Sequence, residues 1–190
     1  PAGAFRIFHP READLLYSID HFEDFFYIRT NLDARNFRLM KTPVTKTGKD
    51  SWAEVIPHRE DVLFQGFELF DTYLVLSEMK AGITDIRVIR WEGGSEHYLD
   101  FGETAYMARP STNREFDTKV LRYSYTSLTT PSSIYDYDME TQEKTLLKRQ
   151  EVLGGFDPEN YQAERLFATA RDGTKVPVSL VYRKGFSKDG

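Results

Sequence analysis

The residues of this chain that could do chemistry are scattered, and their spacing argues against most reactions. Gly93-Gly94-Ser95-Glu96-His97 puts a hydroxyl two residues from an imidazole, so on a strand both side chains point to one face. A serine nucleophile on a strand-to-helix elbow needs a glycine two places after the serine, and here that place is His97. No neighbouring pattern supplies an oxyanion hole, and the stretch reads as a turn between two strands. The four histidines, His9, His21, His58 and His97, have neither His-x-x-x-His spacing nor carboxylates at metal-ligand spacing, so no metal is expected. With no cysteine in the chain, thiolate-bound zinc and disulfides are excluded. Gly154-Gly155 is not followed by Gly-Lys-Ser/Thr, which makes it a linker rather than a phosphate cradle. Asp136 with Asp138, or Glu92 with Glu96, could share acid–base work, although in an acidic β protein such residues are expected on solvated faces or at turns. Arg87, Arg90, Arg109, Arg114 and Arg122 are candidates for interface or channel residues, against the plainer reading that they protect strand edges. No catalytic, cofactor-binding or metal-binding residue is therefore assigned, and no cofactor is expected.

The elements that would have to position these residues are strands. Of 190 residues 40% are hydrophobic, and Phe and Tyr dominate the aromatics, 14 and 11 against 2 Trp, which favours sheet. Three stretches repeat one order of events. The first runs through Leu15–Ile19, Phe25–Arg29, Phe37–Met40 and Ala53–Ile56. The second runs through Leu63–Phe67, Tyr73–Leu76, Ile86–Ile89 and Tyr98–Phe101, and the third through Ala105–Ala108, Val120–Tyr123, Ile134–Tyr137 and Thr145–Leu147. Equivalent positions, such as Tyr73 and Leu121 or Ile86 and Ile134, fall about 48 residues apart. Four strands per unit at that period is the arithmetic of β-propeller blades, each too thin to cover its own two faces. Residues 1–150 are thus expected to form part of a propeller, about three four-stranded blades; Phe5–Phe8 could be an outer strand of a preceding blade. A β-sandwich with chance spacing is the competing reading.

The pattern changes after residue 150. Residues 151–163 read as an inter-domain linker, with Gly154, Gly155 and Pro158 as its hinge. Residues 164–190 read as the first strands of a second domain, a hairpin turning at Asp172-Gly173, for which a type I′ turn is expected. Pro177 should then lie near a strand end or on an edge. Pro1-Ala-Gly-Ala4 and Phe186–Gly190 look like cuts within a longer protein. The net charge of −5 argues against nucleic acid or an anionic membrane as partner, and no apolar run approaches the roughly 18 residues that span a bilayer. The absence of cysteine suits a reducing compartment such as the cytoplasm, although a cysteine-free chain is also allowed outside it.

Three segments carry a resemblance. Val120–Tyr137 resembles the last full propeller blade of the oligopeptidase B (protease II) branch of the prolyl oligopeptidase family of serine peptidases. Glu151–Tyr161 resembles the linker of that branch, and Glu164–Tyr182 the segment where its peptidase domain resumes. The resemblance implies an all-β piece, a partial β-propeller followed by a β-hairpin opening an α/β-hydrolase domain. It implies a cytoplasmic parent enzyme that cleaves short peptides after Lys or Arg without a cofactor, under a seven-bladed propeller that filters substrates. The Gly-x-Ser-x-Gly nucleophile motif, the catalytic Asp and His and a Tyr-Gly-Tyr-Gly stretch would all lie beyond Gly190, so this chain alone would not be catalytic. Its partners would be short basic peptides and the peptidase domain, and open blade edges would let the piece self-associate. The alternative is a non-enzymatic propeller that binds protein partners.

Overall fold

The computed structural model describes residues 4–187; what the sequence suggested of a cut at residues 1–3 and 188–190 lies outside them. The first antiparallel sheet is β1 (Tyr17–Phe22), β2 (Phe25–Thr30), β3 (Arg38–Pro43) and β4 (Ala53–Ile56), paired in chain order. The second unit is β5 (Val62–Leu69), β6 (Tyr73–Lys80), β7 (Ile83–Arg90) and β8 (Glu96–Tyr98). The third is β9 (Tyr106–Pro110), β10 (Val120–Ser127), β11 (Ser133–Asp138) and β12 (Lys144–Arg149). A single parallel bridge from Thr84 to Met107 joins the second and third units. Last comes a two-stranded sheet, β13 (Tyr161–Thr169) with β14 (Lys175–Arg183). The chain is therefore all-β, in fans of four strands.

Alternation along β6 explains the stacking. Tyr73 and Val75 pack into a core with Ile86, Val88, Leu121, Tyr123 and Tyr137, which belongs to the second and third blades. Leu74 and Leu76, on the opposite face, pack with Tyr27, Leu39, Ile56 and Phe64, which joins the second blade to the first. All four of these β6 residues are buried, so both faces of the middle blade are covered. The outer faces of the stack differ: every residue of β12 is exposed, Leu146 and Leu147 included.

Polar joints reinforce the apolar ones. Between the first two blades, Arg29 of β2 donates to the Phe64 carbonyl (2.8 Å) and lies 3.6 Å from the Phe37 ring centre. Between the second and third, the Tyr137 hydroxyl and His97 Nε2 are 2.7 Å apart. Burial lowers the His97 pKa and pushes the Tyr137 hydroxyl up to about 12, so this joint holds two neutral groups.

Several local expectations change. Residues 5–8 form no strand; Phe8 instead packs its ring against Tyr17, Phe26 and Trp52. The fourth strand of the second blade is Glu96–Tyr98, which places His97 on it and leaves Leu99–Phe101 outside. The type I′ turn expected at Asp172-Gly173 does not form, because only Gly173 has positive φ (86°). Five residues separate β13 from β14, and the Ala170 carbonyl accepts from Gly173 N–H at 3.0 Å, so a type I turn runs into a left-handed glycine. Two consecutive positive-φ residues occur instead at Ala81 and Gly82, the two-residue link between β6 and β7.

Leu76→Ala is expected to cost about 2–5 kcal/mol and Leu147→Ala about 0.5 kcal/mol or less, read by chemical denaturation. Equal costs would mean that the stacking described here is not what stabilises the chain. The His97 shift gives a pH dependence. With the folded value depressed, the stabilisation is complete above the unfolded value of about 6.5 and is lost as pH falls through the folded one. Thermal melts across that window should show the decline, and His97→Gln should flatten it.

Candidate functional site

The sequence-singled groups are engaged in separate local contacts rather than gathered into one site. His97, on β8, already contacts Tyr137, so its nitrogen at that contact is not free to act as base toward Ser95 in the preceding turn. Arg122 and Asp136, opposite each other on β10 and β11, form a two-point pair at 2.8 and 2.9 Å. Asp138 accepts from the backbone N–H groups of Glu140 and Thr141, both at 2.8 Å, and these bonds lower its pKa. Glu96 pairs with Arg87. The carboxylate pairs suggested by sequence are thus not brought together for acid–base work. His9 contacts Glu12 at 2.6 Å, and among the described residues no group of His and carboxylates is placed to hold a metal ion.

Reading the sequence missed the most buried charged group. Glu78 on β6 is 2% exposed. Arg59, just before β5, and Arg87 on β7 both pair with its Oε1, and Tyr98 on β8 donates its hydroxyl to Oε2 at 2.7 Å. Arg87 continues to Glu96, so a chain of charge runs from the segment before β5 across β6, β7 and β8 of the second blade. The one available signal was a carboxylate in phase with Leu74 and Leu76 on a buried face. A second missed group is Glu103, which accepts from the hydroxyls of Tyr125 (2.8 Å), Thr129 (2.9 Å) and Thr130 (2.8 Å). Burial alone would raise its pKa, but these hydroxyl bonds outweigh it and the carboxyl is held below its usual value.

The surface carries several clefts. One of about 590 Å³ is walled by residues 112–115, Arg122 and Asp136, and takes in Arg114. Another, about 370 Å³ and mainly apolar, lies between the second and third blades and the hairpin, with Ile83, Met107, Leu128 and Pro177 in its walls. Arg165 of β13 bridges the same junction by donating to the Ala81 carbonyl.

The suggested hinge divides in two. Gly154 (φ 93°) and Gly155 (φ 78°) lie in the connecting segment, where an added Cβ would meet nothing, so backbone conformation is what calls for glycine. Pro158 lies further on, in a short 3-10 turn whose Asp157 side chain accepts from Glu159 N–H. β13 begins at Tyr161, inside the span expected to be linker, because the pairing with β14 extends to Tyr161 and Arg183. Asp172 and Gly173 lie in the β13–β14 connection, with the Asp172 carboxylate accepting from Thr174 N–H at 2.9 Å. Pro177 is the third residue of β14, which among the described residues pairs with β13 alone. Among the described residues no helix is long and apolar enough to cross a membrane.

Comparison with known proteins gives these fans a family. The chain is 44% identical over 190 residues to dipeptidyl aminopeptidase BI of Pseudoxanthomonas mexicana, covering 99% of this chain and 26% of that one. It is 29% identical to protease 2 of Moraxella lacunata, covering 100% and 27%. Among solved structures, oligopeptidase B of Trypanosoma brucei with covalently bound antipain superposes with a TM-score of 0.84 at 32% identity, covering 95% of this chain and 27% of that one. The chain thus spans about a quarter of the length of the curated relatives it matches. Residues 2–150, all three blades, match the family model described as prolyl oligopeptidase, N-terminal beta-propeller domain, and the chain belongs to the prolyl oligopeptidase family.

Proposed function

We propose that this chain is the part of a peptidase that filters and gates substrate, and that the complete protein is a cytoplasmic serine peptidase cleaving short peptides after Lys or Arg. The observation that carries the reading is the match of all three blades to the family's propeller. The likeness to an oligopeptidase B covers 95% of the chain, which supports the preference for basic residues. On this reading the blades limit what can reach a catalytic centre held by other residues. The tether at Gly154 and Gly155 lets the propeller move against the peptidase domain, and closure excludes water. The separate engagement of the blades' carboxylates supports this division of labour, since a filter needs shape and solubility rather than reactive groups.

A second reading rests on the 44% identity to a dipeptidyl aminopeptidase: release of dipeptides from a free amino terminus. Two reporters separate them in the complete protein. Cleavage of an amino-blocked peptide after Lys or Arg is expected. Turnover confined to peptides with a free amino terminus selects the second reading, and no turnover of either rejects both.

Residues 1–190 alone should not hydrolyse the basic reporter; turnover that survives mutation of every serine would overturn that. The exposed β12 edge should make this piece self-associate, and a clean monomer by size exclusion with light scattering at high concentration would count against it.

A further inference from the structure

We propose that residues 111–119 are a strap across three blades, that Phe116 is its anchor, and that this anchor sets the size of peptide the propeller admits. The size effect rests on the peptidase reading above; the strap itself rests on geometry.

The segment joins β9 to β10, neighbouring antiparallel strands of the third blade. It uses nine residues where hairpin connections usually take about two to five. The extra length is spent outside its own blade. Asn113 donates to the Glu68 carboxylate of β5 at 2.7 Å and to the carbonyls of Ser111 and Arg122, both at 3.1 Å. Its side-chain oxygen accepts from Arg122 N–H at 2.7 Å, which fixes the base of the strap to β10. Three residues on, the Phe116 carbonyl accepts from Asp71 N–H of the second blade at 3.1 Å. The Phe116 ring lies 5.3 Å from that of Phe22 on β1, in the first blade, and Phe22 stacks on Trp91 at 5.5 Å. The Trp91 indole N–H is held by the Phe70 carbonyl at 3.0 Å. A connection that starts and ends in the third blade therefore grips the second at Glu68 and Asp71 and the first at Phe22.

This matters because side-chain packing, and little backbone ladder, ties the blades to one another. Among the described residues no strand ladder joins the first blade to the second, and one bridge joins the second to the third. Splaying apart needs no loss of ladder bonds between the first two blades, and the strap opposes it. Thr112, Asn113, Arg114, Glu115 and Thr118 of the strap wall the 590 Å³ cleft, although Phe116 itself does not, so releasing Phe116 would act on the cleft through the strap's position.

The test uses the complete protein with Phe116→Ala and, to retain an anchor, Phe116→Tyr. One readout is the ratio of kcat/KM for a peptide several tens of residues long to that for a tripeptide reporter. An aromatic contact of this kind biases an equilibrium roughly two- to tenfold, and the ratio should rise by that factor in Phe116→Ala and stay at the wild-type value in Phe116→Tyr. The second readout is hydrogen exchange in β1 and β2, which should quicken only in Phe116→Ala. An unchanged ratio in an active Phe116→Ala protein overturns size selection even if its melting temperature falls, and unchanged exchange overturns the strap. Should Phe116→Ala fail to fold, Phe116→Leu replaces it, with a smaller rise expected and an unchanged ratio again decisive. Wild-type protein that cleaves neither peptide defeats the peptidase reading, and size selection with it, while exchange still decides the strap.

Discussion

A four-stranded sheet has two faces and cannot fold back to cover either. Everything else in this chain follows from how those faces are buried. β6 meets the constraint most fully, with Tyr73 and Val75 turned to one neighbour and Leu74 and Leu76 to the other. The same need accounts for the aromatic composition. Tyr123, Tyr125 and Tyr137 fill the space between the second and third blades with their rings. Tyr125 and Tyr137 then carry their hydroxyls to Glu103 and His97. A leucine in those places would bury area without the polar contact, and a buried hydroxyl without a partner would cost about 1–3 kcal/mol.

Charge inside the stack is handled by enclosure rather than by exclusion. Glu78 is taken out of water, yet two guanidinium groups and a phenol satisfy its oxygens. Removing one partner from such a group typically costs about 3–5 kcal/mol, whereas an apolar replacement of the whole set can be neutral. The network is therefore better understood as fixing which residues face each other across the second blade than as a source of net stability. Glu78 to Arg87 and Arg87 to Glu96 link successive strands β6, β7 and β8, and Arg59 ties in the segment before β5, so a slip of any of those three strands would leave a charge unpaired.

The sequence revealed the architecture because repetition and two-residue alternation are local properties. Four apolar runs recurring about 48 residues apart are legible without any knowledge of contacts, and the strands lie close to those runs. What stayed hidden depends on distance along the chain or on loop length. Glu78 and Arg59 are separated by a whole strand, and Phe22 and Phe116 by most of three blades, so no pattern in either neighbourhood announces the pair. Asp172-Gly173 carried a true turn signal, but the turn type depends on where pairing stops, and it stops at Thr169 and Lys175. The candidate chemistry was legible mainly as an absence of motifs. The contacts that explain it, Arg122 on Asp136 and Tyr137 on His97, required coordinates.

Backbone ladders hold each blade, and side-chain packing holds blade to blade. Inside a blade each strand is tied by a ladder, and shearing one strand from the next breaks several backbone bonds at once. Between the first and second blades the links are side-chain packing and isolated bonds such as Arg29 to the Phe64 carbonyl. Rotating the first blade on the second would disturb this packing, but among the described residues it would break no ladder between them. On the proposed reading, a wall that must part for a slender chain and resist a folded one would draw on this combination of stiff blades and packed joints.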